Sequence, residues 1–110
     1  MGITKSEKFS TDQNTIARIA KAFGHPARVA ILQHLFKINS CICGDLIDVI
    51  GLAQPTISQH LKELKNLGII KGTIEGTSIC YCIDQDMWSE VTLVFQTFLN
   101  QNLKDNKQCC

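Results

Sequence analysis

The chain has 110 residues, of which 45% are apolar and 19% are charged. This composition suits one small globular domain and excludes a disordered chain. The net charge of +1 gives no strong field over the whole molecule, so binding to nucleic acid would depend on local placement of charge. The first residues lack the apolar run of a signal peptide, and no segment approaches the ~20 apolar residues of a membrane span. We therefore expect a cytoplasmic protein with no membrane contact.

Apolar residues at helical spacing predict four helices, one after another, ahead of any strand. Their predicted bounds are Thr11 to Gly24, His25 to Ser40, Leu46 to Gly51 and Gln54 to Gly68. The second and fourth carry a proline in the first turn, where proline is favoured. Glycine stands at three of the predicted ends, where a helix commonly needs it.

Alternating apolar and polar residues then predict a β-hairpin. Its arms are 70–74 and 79–83, around the turn Glu75-Gly76-Thr77-Ser78. A last amphipathic helix follows. The predicted fold class is mainly α with one β-hairpin, in the order α-α-α-α-β-β-α. We expect a folded domain over residues 1–102 and a flexible, cysteine-containing tail over residues 103–110.

The helix pair between Asp45 and Leu67 has the layout of a helix-turn-helix, because a short turn with a glycine joins the two helices. At ~100° per residue, Ile57, Leu61 and Leu64 fall on one face of the second helix. The opposite face and its flanks carry Pro55, Thr56, Ser58, Gln59, Lys62, Glu63 and Asn66. Amides, hydroxyls and lysines are typical of helices that contact base edges and phosphates. The surface of an ordinary helical bundle can have the same composition.

The hairpin favours the DNA-binding interpretation. It follows the second helix directly, and Lys71 and Thr73 fall on its outer side, where they can lie beside a DNA backbone. His60 falls on the flank of the buried stripe, which suits a packed or phosphate-contacting histidine. The expected architecture is a winged helix-turn-helix that binds double-stranded DNA.

Three segments follow one another in an order that is typical of one repressor family. They are AFGHPARVAILQHL, CICGDL and GLAQPTISQHLKELKNLGIIKGTIEGTSICYCI. From about Ala20 to Trp88 the chain resembles the ArsR/SmtB family of winged-helix repressors. The resemblance implies a homodimer, joined by the first and last helices, that leaves operator DNA when a thiophilic ion or another inducer binds. It also implies DNA-facing side chains at Gln54, Thr56, Ser58, Gln59, His60 and Lys62.

The sequence departs from the family pattern in two places. Members that sense zinc on the last helix carry paired Asp and His residues there, but no histidine follows His60. In the arsenical sensors an acidic residue comes directly after Cys-x-Cys, whereas Gly44 precedes Asp45 here.

The last helix carries an apolar stripe of Phe95, Phe98 and Leu99. Such a stripe is too apolar for an exposed terminal helix on so small a domain. We expect it to pack against Ile16 and Ile19 of a second protomer, which gives a homodimer.

Cys41 and Cys43 are the first candidates for ion binding. We expect them at a helix start, where the helix dipole lowers thiol pKa and favours thiolate ligands. Residues two apart on a helix diverge by ~200°, so gripping one ion would unwind that turn. As(III) or Sb(III) takes three sulfurs, and Cys109 or Cys110 of the tail can supply the remainder.

Cys80 and Cys82 alternate with core residues of the predicted wing strand, so they leave its core face together. They are either a second thiol pair or ordinary half-exposed strand residues. An enzyme is not expected, since there is no Cys-x-x-Cys, no βαβ pattern around Cys-x-Cys and no glycine-rich phosphate loop. A metallochaperone would need neither the wing nor the polar face. A redox-responsive repressor of the same fold is the main alternative.

Overall fold

The computed structural model describes residues 5–44, 47–74 and 79–103. Within these ranges a short 3₁₀ helix precedes five α-helices and three β-strands. In chain order they are the 3₁₀ helix Lys5–Lys8, α1 Thr11–Ala22, α2 Pro26–Ile38, β1 Ile42–Cys43, α3 Ile47–Ile50, α4 Gln54–Asn66, β2 Ile70–Thr73, β3 Cys80–Ile83 and α5 Gln85–Leu99. The predicted turn at Glu75–Ser78 and the cysteines of the tail lie outside the described residues.

The helix boundaries follow from local side-chain chemistry. Ser10 forms a capping box with Gln13 at the start of α1, since each side chain bonds the other's backbone N–H. His25 caps α2, where its Nδ1 accepts from the backbone N–H of Ala27 at 3.0 Å. Asp84 caps α5 by accepting from the backbone N–H of Met87 at 3.1 Å. Gly68, at φ 80°, follows α4 in the left-handed conformation that glycine adopts readily.

The sheet has three strands in the order β1-β3-β2, and both pairings are antiparallel. The hairpin of β2 and β3 is present, as the sequence predicted. The strand β1 was not predicted: residues expected at the start of a helix instead pair with β3, Ile42 opposite Tyr81 and Cys43 opposite Cys80. Gly44, at φ 104°, extends this pairing by donating its N–H to the carbonyl of Ile79 at 3.1 Å.

The core lies where α1, α2, α4, the sheet and α5 meet. Its members are apolar and at most 8% exposed; they are Ile19, Ala22, Ile31, Leu32, Leu35, Ile42, Ile57, Leu61, Leu64, Ile69, Ile70, Ile74, Tyr81 and Val91. This core supports α4 from behind and holds the sheet beside it, so the faces of α4 and β2 that point away from the core are left for binding. No helix in the described ranges is long and apolar enough to cross a bilayer.

The apolar stripe of α5 divides into two parts. Phe95 packs against Phe23 of its own chain, with ring centroids 5.7 Å apart, and Ile19 is buried in the same protomer. Phe98 and Leu99 are 45% and 69% exposed. The expectation that Ile19 faces a second protomer is therefore corrected, because Ile19 is buried within its own chain. Phe95 and Ile16 are only half-buried, so their place at a dimer interface stays a prediction. The expectation for Phe98 and Leu99 stays a prediction.

Candidate DNA-binding surface and thiol cluster

Helix α4 presents one buried face and one exposed polar face. Ile57, Leu61 and Leu64 are each at most 2% exposed and pack into the core. Thr56, Gln59 and Lys62 are exposed on the other side. Leucine and isoleucine burial fixes the rotation of α4 about its axis, so the polar face has a defined direction. That face is the candidate reading surface.

Two further residues assigned to this surface are partly buried at the start of α4. The side-chain amide of Gln54 donates to the hydroxyl of Ser58 at 3.2 Å. The bond joins residues one helical turn apart and fixes the orientation of both side chains. Both therefore lie at the edge of the reading surface, less accessible than Gln59.

His60 lies inside the molecule, in contrast to its expected place facing DNA. It is 8% exposed, its ring centroid is 4.3 Å from that of His25, and its Nδ1 accepts from Nε of Arg28 at 3.2 Å. Arg28 also donates to the carbonyl of Lys21 at 2.6 Å. His60 thus links α4 to α1 and α2. We do not retain it among the DNA-contacting candidates, because the packed rings and the guanidinium occupy its surroundings.

The pKa of His60 is lowered from its usual 6.5. Burial is the largest cause, and electrostatic interactions with His25 and Arg28 add to it, whereas Glu63 opposes the shift. A neutral His60 suits its hydrogen bond, since Nδ1 must be unprotonated to accept from Arg28.

The wing supplies the second part of the candidate DNA surface. Lys71 and Thr73 are exposed on β2. Nζ of Lys65, near the end of α4, donates to the carbonyl of Gly72 at 2.7 Å and so ties the helix to this strand. Between α4 and β2 lies an open groove of about 450 Å³, lined by Lys62, Lys65, Asn66, Thr73 and Ile74. Cationic side chains along a groove are the arrangement that phosphate contacts require.

Cys41 and Cys43 lie before and in β1 rather than at a helix start. The expectation that they diverge on a helix was wrong, because these residues gain their hydrogen bonds from β3 and not from a following turn. Alternate residues of a strand point to the same face. Ile42, between them, is buried, and both cysteines are on the side away from the core.

Each of these thiols meets a thiol of β3. Cys43 and Cys80 are joined as a disulfide, with a Cα–Cα distance of 4.1 Å. The thiols of Cys41 and Cys82 are hydrogen-bonded to each other. From the sequence alone, the role of Cys80 and Cys82 was open. Both segments have the Cys-x-Cys spacing, which is the sequence feature that indicates this cluster. The spacing predicts the cluster only once the two segments are known to pair in the sheet.

The pKa of the Cys82 thiol is raised. Its hydrogen bond with Cys41 is the largest cause, followed by burial, while the nearby ammonium of Lys71 acts in the opposite direction. Cys82 is therefore held as a thiol and would release a proton on binding an ion. Among the described residues no three metal-ligating side chains converge on one point in the present arrangement. Cys109 and Cys110 lie outside those residues.

A pocket of about 470 Å³ opens beside the Cys41–Cys82 pair. Its lining includes Phe36, Lys71 and Trp88. Trp88 packs edge-on against Phe36, with ring centroids 4.8 Å apart. The pocket gives solvent access to two of the four thiols and places the only tryptophan of the chain next to them.

Comparison with known proteins assigns this architecture to a family. A sequence profile described as bacterial regulatory protein, arsR family, matches residues 25–71, from the N-cap of α2 into β2. A helix-turn-helix transcriptional regulator of Methanocaldococcus jannaschii is 46% identical over 76 residues, 68% of this chain and 84% of that protein. The chain belongs to the ArsR family. As an ArsR-family protein it is a transcription regulator and not an enzyme, as the sequence predicted.

Two further proteins are similar to this ArsR-family chain over most of its length. The cadmium resistance transcriptional regulatory protein CadC homolog of Staphylococcus aureus is 33% identical over 102 residues, 90% of this chain and 82% of that protein. The crystal structure of NolR from Sinorhizobium fredii superposes with a TM-score of 0.60 at 19% identity, covering 93% of this chain and 99% of NolR. The second likeness shows the fold and confirms the predicted winged helix-turn-helix.

Proposed function

We propose that the chain is a metal-responsive repressor that binds operator DNA as a homodimer and is released by a thiophilic ion. The observation that carries the proposal is the polar, outward face of α4, with Gln59 and Lys62 exposed and the apolar face buried behind them. A second protomer would supply a second recognition helix for an inverted-repeat site. A repressor works where the DNA is, which agrees with a cytoplasmic location.

The proposed DNA contacts divide by chemistry. Gln59 has an amide that can bond a base edge in the major groove, and Lys62 can neutralise a phosphate. Lys71 and Thr73 of the wing would contact the backbone beside the groove. The proposed set is Gln54, Thr56, Ser58, Gln59, Lys62, Lys71 and Thr73.

The proposed inducer is a soft ion, As(III) or Sb(III) in the first place. Cys43 lies in β1 and Cys41 directly before it, both on the side away from the core. Thiolates are the ligands that such ions prefer. The CadC homolog is named for cadmium resistance, which supports metal responsiveness without selecting the ion. Among the ligands predicted from the sequence, Cys109 or Cys110 would supply the third sulfur to the ion.

A thiol-redox repressor of the same fold is a second candidate. The observation that favours it is the disulfide between Cys43 and Cys80. An oxidant would form this bond and reductant would open it, with no ion involved. Disulfides are rare in a reducing cytosol, which is why the metal-responsive function is preferred.

Titration of the protein–operator complex tests the proposal. Fluorescence anisotropy measures the binding of the double variant Gln59→Ala/Lys62→Ala to the chain's own promoter DNA. The control is Lys37→Ala, which removes one lysine from the exposed end of α2. The double variant is expected to bind at least about 10-fold more weakly, and the salt slope is expected to fall by about 1. Unchanged affinity in the double variant would remove α4 as the reading helix.

The inducer is tested on the same complex. Arsenite, antimonite, cadmium, zinc and peroxide are added separately to reduced protein on DNA. Release by arsenite or another ion, but not by peroxide, supports the metal-responsive function; release by peroxide alone supports the redox function. Emptying an operator by 99% requires a preference for the free state on the order of 10⁴-fold.

A further inference from the structure

The outer face of the β1–β3 pair carries four cysteines. The register places buried Ile42 opposite buried Tyr81, so these two side chains point into the core. Residues next to them along each strand point the other way. On that outer face Cys43 lies opposite Cys80, and continuation of the antiparallel register sets Cys41 opposite Cys82.

The thiols form two cross-strand pairs, one strand repeat apart. The first pair is bonded and has a Cα–Cα distance of 4.1 Å; the second is hydrogen-bonded. Two residues along a strand correspond to about 6.6 Å. The four sulfurs therefore lie in one patch on the outer face of the β1–β3 pair. Three of them do not converge in the present arrangement of the described residues, so their side chains would have to rotate to hold one ion.

We propose that Cys80 and Cys82 complete, with Cys41 and Cys43, a soft-ion site within one protomer. This inference rests on the proposed metal-responsive function and replaces the tail as the source of the remaining sulfurs. A thiol reductant first opens the Cys43–Cys80 bond by supplying two electrons and two protons. Arsenite, As(OH)₃, then condenses with three of the thiols: three As–S bonds form, three As–O bonds break, and three waters leave. Arsenic stays trivalent throughout, whereas a divalent ion such as Cd²⁺ could use all four sulfurs.

The site would couple the ion to both halves of the repressor. β1 is followed by α3 and α4, which carry the reading surface, and β3 is followed by α5, with its exposed apolar end. An ion held by both strands fixes the position of one half relative to the other. It can thus favour a spacing of recognition helices that does not match the operator.

The ligand set is tested with the full, reduced chain, using arsenite and Cd²⁺ as probes after removal of the reductant. The variants are Cys80→Ser/Cys82→Ser and, as matched control, Cys109→Ser/Cys110→Ser. X-ray absorption gives the number of sulfurs around each ion, and Trp88 fluorescence follows binding at the adjacent pocket. Operator binding without ion checks that the variants fold, since the substituted wing cysteines are only partly buried.

We expect the wing variant to bind operator normally, to lose sulfur neighbours around arsenic, and to bind the ion on the order of 100-fold more weakly. The tail variant is expected to keep wild-type coordination and affinity. Unchanged coordination in the wing variant, or loss of a sulfur only in the tail variant, would overturn the inference and leave the metal-responsive function standing. Absence of ion binding by the wild type would overturn that function itself and this inference with it.

Discussion

At the scale of single residues, His60 lies deeper in the fold than its place on the helical wheel indicates. A helical wheel puts this side chain at the margin of the buried stripe, yet it is enclosed because His25 and Arg28 come over it from α2. Its hydrogen bond to Arg28 depends on an unprotonated Nδ1. The packing of α4 on α2 therefore depends on pH through one imidazole.

We predict that acid destabilises the fold through His60. The folded-state pKa is below the unfolded value of 6.5, so the unfolded chain binds the proton more readily. The stability present above pH 6.5 is lost progressively as the pH falls below that value. Chemical unfolding at pH 7.5 and 5.5 measures the loss. His60→Asn keeps an acceptor for Arg28 and cannot titrate, so its pH dependence is expected to be smaller, at a cost on the order of 1 kcal/mol at pH 7.5. His34→Asn is the control, and an equal reduction there would contradict the assignment.

At the scale of elements, one lysine fixes the angle between the recognition helix and the wing. Lys65 reaches from the last turn of α4 to the carbonyl of Gly72. The approach between β2 and β3 is close at this point: a Cβ on Gly72 would lie 2.9 Å from the Cα of Tyr81, and the backbone has φ 116°. Glycine and lysine together hold the two DNA-facing elements in register.

We predict that Lys65→Met weakens operator binding by about 3- to 10-fold, because the wing would no longer be held against α4. The slope of affinity against salt separates this positioning role from a phosphate contact. A positioning role leaves the slope unchanged, whereas loss of a phosphate contact lowers it by about 1. Lys65→Arg, which keeps a donor, is expected to restore most of the affinity. A lowered slope for Lys65→Met would show that the side chain contacts DNA directly.

The elements differ in how far periodicity could reveal them. α1, α2, α4 and α5 each repeat apolar residues over several turns, and glycine or proline marks an end of the first three, so the sequence predicted these helices and the hairpin. β1 has two residues, too few for any period, and it is a strand only because β3 lies beside it. The pairing of Cys41 and Cys43 with Cys80 and Cys82 was hidden for the same reason.

At the scale of the whole molecule, the end of α5 is an exposed apolar surface within the described residues. The sequence had already indicated it as a dimer interface. Phe98 and Leu99 are exposed, and Leu103 beyond the helix is 95% exposed. Apolar side chains clustered in this way on a small domain are typical of an interface. A second protomer covering them would place two recognition helices on one operator.

We predict that Phe98→Asp gives monomers with weak operator binding, since a single half-site loses the gain from two linked contacts. Analytical ultracentrifugation at micromolar concentration measures the assembly. Gln96→Asp, at an exposed polar position of the same helix, adds the same charge and is expected to leave the dimer intact. A wild-type monomer at that concentration would contradict the proposed assembly.

The bond between Cys43 and Cys80 spans 37 residues, and this stretch contains α3, α4 and β2. A cross-link over such a length removes conformational freedom from the unfolded chain, which corresponds to about 4 kcal/mol at 25 °C in the loop-entropy description. An ion held by sulfurs of both strands would close the same loop. The link between β1 and β3, whether disulfide or ion, would then set how often α3, α4 and β2 unfold. This effect is separate from how well α4 and β2 fit an operator. The melting temperature of the wild type is expected to fall when the disulfide is reduced and to rise again when Cd²⁺ is added. The melting temperature of Cys80→Ser is expected not to change on reduction, because this variant has no Cys43–Cys80 bond to lose.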